Sequence, residues 1–202
     1  MTLVSGQGLP VARPKEFNET VVLRKAMDLF WEQGYGATSM EDLVDHLGIG
    51  RASLYATYGA KHDLFMRALD TYIQDRVTSL TEALSRPGPV IPAIGNVLGM
   101  FARRACDLDR PGCMLTNSAT ELATRDPEVA RQVQSTWAAL ESTLASALTR
   151  ARAQGELGAD RDPQALASFL LVFIQGLLVV GKGDPDPDRL RIATEQALLV
   201  LQ

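Results

Sequence analysis

Apolar residues recur along the chain at three- and four-residue spacing, and no segment shows the strict alternation of a half-buried strand. From Glu19 to Gln33 the stripe is Val22, Ala26, Leu29 and Phe30, which predicts a helix ended by Gly34. Residues 38 to 62 spell two short helices joined at Gly48. Met40, Leu43, Val44 and Leu47 form one face of the first, and Ile49 and Leu54 fill the angle between the two. A fourth, longer helix begins near Lys61 and carries Leu64, Phe65, Ala68, Leu69, Tyr72, Ile73 and Val77 to about Leu84. The run Arg86-Pro-Gly-Pro then breaks it.

The second half repeats one device three times. Asp126-Pro127, Asp162-Pro163 and Asp186-Pro187 each precede a helical pattern, the aspartate capping free backbone N–H groups and the proline suiting a first helical position. Helices are predicted over 127–154, 163–182 and 187–201, with two more over 92–107 and 113–125. The 127–154 segment is normally amphipathic, with Val129, Val133, Trp137, Leu140, Leu144, Leu148 and Ala151 on one stripe. The 163–182 segment is apolar around its whole circumference, and the last helix on more than one side. A chain this small rarely buries every face of a helix, so these two are expected to form a two-fold homodimer interface. Phe169, Phe173, Leu177, Leu190, Ala197 and Leu198 are its candidates.

The fold class is therefore all-α: an amino-terminal three-helix domain containing a helix-turn-helix, followed by a larger helical domain. The expected division is a flexible tail at 1–17, the helix-turn-helix domain at 18–77 with its motif at about 39–58, and a larger helical domain, expected to dimerise, at 78–202. A chain of 202 residues with 46% hydrophobic content is ordinary for a globular protein. The first seventeen residues contain no signal-peptide core, and the apolar stretch Phe169 to Val180 is shorter than the roughly 20 residues that span a bilayer. A cytoplasmic protein without a membrane partner is expected. The net charge of −4 is wrong for a DNA binder until the charges are placed. From Leu47 to His62 the fixed charges are Arg51 and Lys61, with no acid among them, while Glu41, Asp42 and Asp45 fall on the preceding helix.

The run from Ala26 to Phe65 resembles the TetR family of bacterial transcriptional regulators. The resemblance rests on Phe30, Gly34-Tyr35, Thr38, Met40, Leu43, Gly48-Ile49, Leu54-Tyr55, Tyr58, Lys61 and Leu64 at the family's spacing. Gly50 and Ala60 stand where family members usually carry a hydroxyl residue. In such a motif the second helix enters the major groove with its first residues at base edges. Arg51, Ala52 and Ser53 are the base-reading candidates: Arg51 for guanine, Ser53 as donor or acceptor, the Ala52 methyl against thymine. Tyr55, Thr57, Tyr58, Lys61 and Thr38 are assigned to phosphates, with Arg51 as a solvated charge and Tyr58 as a core aromatic kept as the plain alternatives.

For the remainder, the resemblance implies a helical domain in which a small-molecule effector changes the spacing of two DNA-reading heads. The partners so implied are operator DNA, a second copy of the chain and an unidentified effector. Candidate pocket residues are Met100, Phe101, Arg104, Cys113, Leu115, Asn117, Trp137, Phe169 and Phe173, with core packing the stronger reading for Trp137 and Phe169. Arg110-Pro-Gly-Cys113-Met-Leu-Thr-Asn117 resembles a Gly-Cys-x-x-x-Asn element of one subset of the family. Cys113, at a predicted helix start near Arg110, is a candidate redox or electrophile sensor with Cys106 as a conceivable partner, against a packing role. No catalytic dyad, metal-ligand spacing or cofactor loop is expected, because both histidines, His46 and His62, fall in or beside the helix-turn-helix. The preferred reading is a homodimeric repressor released from its operator by an effector.

Overall fold

The structure, a computed structural model, describes residues 17–107 and 112–202. The tail assigned to 1–17, apart from Phe17, and Arg110 beside Cys113 lie outside the described residues. Among those described there are nine helices and no strand: α1 (Glu19–Gln33), α2 (Met40–Leu47), α3 (Arg51–Tyr58), α4 (Lys61–Ser85), α5 (Val90–Ala105), α6 (Met114–Leu122), α7 (Pro127–Ala153), α8 (Pro163–Gly183) and α9 (Pro187–Leu199).

Local chemistry accounts for most helix ends. Asp126 accepts hydrogen bonds from the N–H groups of Glu128 and Val129, Asp162 from Gln164, and Asp186 from Asp188 and Arg189, with proline in the first helical position each time. Ser39 and Asp42 close a capping box at the start of α2, with bonds of 2.8 and 3.0 Å. Gly48 ends α2 at φ 67°, a left-handed position that a side chain would strain. Where Ala60 lacks a hydroxyl, the Asp63 carboxylate accepts the Ala60 N–H at 2.8 Å, so α4 keeps an acidic cap. Glu156, just past α7, reaches back to the Val90 and Ile91 N–H groups and anchors the start of α5.

Two cores divide the chain. One is built from Ala26 and Phe30 of α1, Leu43 and Leu47 of α2, Leu54 of α3, and Leu64, Phe65 and Leu69 of α4. Each such apolar side chain contributes about 1.5–3 kcal/mol on burial. This core is not confined to the first four helices: Met114 and Leu115 of α6 and Val129 and Val133 of α7 join it. The other core packs the end of α4 with α5, α7, α8 and α9. Gly181 of α8 lies so close to Ala105 of α5 that a Cβ there would stand 2.5 Å from the Ala105 methyl, which sets the close approach of those two helices.

The carboxy-terminal pair corrects part of the expected interface. Leu177, Leu190 and Ala197 are buried in their own chain, at 3%, 2% and 4% exposure. Phe173 and Leu198 are half-buried against the same core, and Phe169 is exposed, its ring stacked on Phe173 at 6.0 Å. The outward apolar face is instead Val172, Val179 and Val180 of α8, Ile192 and Leu199 of α9, and Val200, with Phe169 at its side. An all-round apolar helix carries no phase information, so sequence alone does not say which side meets its own core. At 21 residues α8 is also long and apolar enough, by length and composition, to cross a membrane. Here it packs against α5, α7 and α9.

Candidate nucleic-acid interface and ligand cavity

The short helix α3 is held by one buried edge. Leu54 is fully buried, Tyr58 is 2% exposed, and the Tyr58 hydroxyl donates 2.8 Å to the Glu19 carbonyl at the start of α1. The opposite surface presents Arg51, Ala52, Ser53, Tyr55 and Ala56 to solvent, with Thr57 half-buried. Gly50 caps α3 without a side-chain bond. Arg51 is the one charged residue within α3, and it stands at the helix start. The arrangement brings together a guanidinium, a methyl and a hydroxyl on one exposed turn, which suits reading of base edges.

Three residues assigned to phosphates from sequence point inward. Thr38 is fully buried and its hydroxyl donates to the Gly34 carbonyl at 2.7 Å. Tyr58 is a core aromatic, the plain alternative, and burial raises its phenol pKa above the ordinary value. The Lys61 ammonium donates to the carbonyls of Tyr35 (2.9 Å) and Thr38 (2.8 Å) and lies 4.2 Å from the centre of the Tyr35 ring. Lys61 thereby ties the first turn of α4 to the bend between α1 and α2. Backbone carbonyls compete effectively for these donors because the turn would otherwise leave them unsatisfied.

The same bend is gripped from α6 as well. The Glu121 carboxylate, at the end of α6, accepts the Gly36 N–H at 2.6 Å and the Tyr35 N–H at 3.2 Å. Gly34 has φ 82°, and a Cβ there would come within 2.9 Å of that carboxylate. A second tie joins His62 Nε2 of α4 to the Asp126 carboxylate at 2.7 Å. Asp126 desolvation is outweighed by the bonds it receives from Val129, His62 and Glu128, which hold its carboxyl below the usual range.

At the other end of α6 lies a cavity of about 180 Å³. Phe101, Arg104 and Asp107 of and beyond α5, with Gly112, Cys113 and Leu115 leading into α6, form one wall. Trp31 of α1 and Tyr72, Ile73, Arg76, Val77 and Leu80 of α4 form another. Thr136, Leu140 and Leu144 of α7, and Leu171, Ile174, Gln175 and Leu178 of α8, complete it. The Tyr72 hydroxyl donates to Cys113 Sγ at 3.3 Å, and deep burial pushes the Tyr72 phenol well above its ordinary pKa. Gln175 accepts from the Thr116 hydroxyl at 2.8 Å.

Of the residues named from sequence for a pocket, Phe101, Arg104, Cys113 and Leu115 line this cavity. Met100, one position round α5 from Phe101, does not. Asn117 accepts from the Lys182 ammonium at 2.9 Å, Trp137 packs on the amino-terminal core, and Phe169 and Phe173 stack on the side of α8. The α4 wall is not among the residues the sequence singles out for a pocket, although Arg76 interrupts the stripe Tyr72, Ile73, Val77, Leu80 and so marks a polar position among apolar ones. Gln175, likewise, breaks the apolar run of α8 because it faces the cavity. Cys106 and Cys113 are both free thiols, and burial followed by the nearby Asp186 charge raises the Cys106 thiol pKa. Cys106 is accordingly a poor thiolate.

Comparison with known proteins bears directly on this layout. Residues 22–68 match the family described as bacterial regulatory proteins, tetR family, and residues 92–197 match a tetracyclin repressor-like C-terminal domain. The chain belongs to the TetR family of transcriptional regulators. It is a DNA-binding regulator and not an enzyme. Among TetR relatives it is 39% identical, over 95% of its length and all of theirs, to the uncharacterized HTH-type transcriptional regulator YezE of Bacillus subtilis (strain 168). It is 36% identical to the HTH-type transcriptional repressor ComR of Escherichia coli (strain K12), covering 83% of this chain and 80% of ComR. A TetR regulator solved as a cysteine mutant with a 26-bp operator duplex, CifR, superposes with a TM-score of 0.84 at 27% identity, covering 94% of this chain and all of that one.

Proposed function

We propose that the protein is a homodimeric repressor that leaves its operator when a small molecule enters the cavity between α4, α5, α7 and α8. The observation that carries this reading is the span of α6. Cys113 and Leu115 at its start line the cavity, while Glu121 at its end holds the bend that positions α2 and α3. A ligand that displaces α6 therefore acts on the DNA-reading helix through two hydrogen bonds. The repressor name of ComR and the operator complex of CifR support the direction of regulation and the DNA partner. The outward apolar face of α8 and α9 supplies the surface for a second copy, whose two-fold symmetry matches paired half-sites. Such a protein works on chromosomal DNA in the cytoplasm.

Arg51, Ala52 and Ser53 read bases and Tyr55 and Thr57 hold phosphates in this account. Arg51→Ala is expected to weaken operator binding by about 1–3 kcal/mol and to relax preference at one base pair. Anisotropy titrations against single-base operator variants check this, and an equal loss on random duplex would reassign Arg51 to the phosphate backbone. The path through α6 has its own test. In Glu121→Ala, amide exchange at Tyr35, Gly36 and the start of α2 is expected to accelerate while α8 stays protected. Unchanged exchange at that bend would remove Glu121 from the coupling.

A second reading of the same fold rests on Cys113, whose sulfur lines the cavity and accepts a bond from Tyr72. If this thiol is the sensor, Cys113→Ser abolishes operator release by peroxide or electrophiles and leaves release by cavity ligands intact. Release by oxidant that survives the substitution contradicts the thiol reading.

A further inference from the structure

The cavity walls are mostly hydrocarbon, but two guanidiniums enter them. Arg76 lies over the rings of Tyr72 (5.0 Å) and Trp31 (5.6 Å), which fixes its head toward the cavity. Arg104 of α5, half-buried, lines the same cavity. Among the described lining residues Asp107 is the sole carboxylate, set against two arginines. Among the described residues no ion pair joins Arg76 or Arg104 to an acid. Burial, and next the like charge of Arg76, push the Arg104 guanidinium below its ordinary pKa, against smaller opposing effects of Tyr72 and Cys113.

We propose that the ligand of this cavity is a small organic monoanion, a carboxylate held by Arg104 and Arg76 with a ring-sized apolar body against Ile73, Val77, Leu140 and Ile174. Size sets the body. An apolar cavity of about 150 Å³ holds one benzene ring, so about 180 Å³ admits a single ring bearing a carboxylate and excludes a fused polycycle. Geometry sets the head. A planar guanidinium takes a carboxylate through two parallel bonds, and the Tyr72–Cys113 pair adds neutral polar groups beside it. The inference rests on the cavity being the effector site, and its test separates the two.

The full chain is titrated calorimetrically with benzoate, phenylacetate and cyclohexanecarboxylate, and with benzamide as the neutral counterpart of benzoate. One carboxylate per chain is expected to bind, with benzamide roughly tenfold weaker or worse, since hydrogen bonds to charged groups are the stronger class. Arg104→Gln is expected to abolish that preference without lowering the melting temperature, and Arg104→Lys to restore part of it. Equal binding of acid and amide, or no binding by any of the three acids at millimolar concentration, overturns the anion assignment. Should Arg104→Gln fail to fold, Arg76→Gln gives the same comparison from the other side of the cavity. The operator complex is then titrated with the acid that binds. Release supports both readings, whereas binding without release keeps the anion site and contradicts the effector role proposed above.

Discussion

Val172→Asp is expected to split the dimer and lower operator affinity by about a hundredfold or more, because two linked heads gain about 10²–10⁴ in avidity over one. Val172 is 70% exposed within its own chain, so the substitution leaves both cores of the subunit untouched. It belongs to the same outward apolar set as Val179, Val180, Ile192 and Leu199. In a dimer that face is dry, and an unpaired carboxylate there costs several kcal/mol, comparable to the association energy available from a modest apolar patch. Sedimentation equilibrium should show a folded monomer with an unchanged helical spectrum. A variant that remains dimeric and binds operator normally would place the subunit interface elsewhere.

The second large effect separates two roles for one lysine. Lys61→Met is expected to remove about 2–4 kcal/mol of stability, since two charge-assisted bonds to backbone carbonyls and a contact with the Tyr35 ring are lost together. For a chain of this length that corresponds to a fall of roughly 4–16 °C in melting temperature. The salt dependence of DNA binding by the folded variant should stay as it was. A phosphate contact would behave in the opposite way, with stability unchanged and the slope of log affinity against log salt reduced by about 0.9.

Lysine at the start of a helix after a helix-turn-helix is an obvious phosphate candidate, and the sequence offers no sign that two carbonyls claim it. Thr38 and Tyr58 are alike in this. Their hydroxyls satisfy backbone carbonyls brought together by the packing of α1, α2 and α3, a partnership separated by 39 positions in the case of Tyr58 and Glu19. What was legible was local. The helix starts at Asp126, Asp162 and Asp186 and the turn at Gly48 depend on neighbours in sequence, and the structure shows the bonds that capping chemistry requires. Exposure of Arg51, Ala52 and Ser53 followed from the burial of Leu54 one step round the helix.

The cavity was legible only in part because its walls come from helices far apart in the chain. Periodicity identifies the apolar stripe of α4 but not what it faces, so Tyr72 and Ile73 read from sequence as packing residues and Arg76 carries no signal of a cavity. The α6 to α1 contact has the same origin. Glu121 meets Tyr35 and Gly36 across 86 and 85 positions, and an exposed glutamate near a helix end has no sequence signature of such a role.

The account stands on sequence-preferring DNA binding by the surface of α3. The direct measurement is fluorescence anisotropy of the full chain on its own upstream intergenic duplex, with random duplex of equal length as control, at two salt concentrations. Tight binding to the upstream duplex, weaker and more salt-sensitive binding to the random one, and loss of that difference in Arg51→Ala are the expected results. Equal affinity for both duplexes, with the Arg51→Ala protein indistinguishable from the unaltered chain, would contradict it.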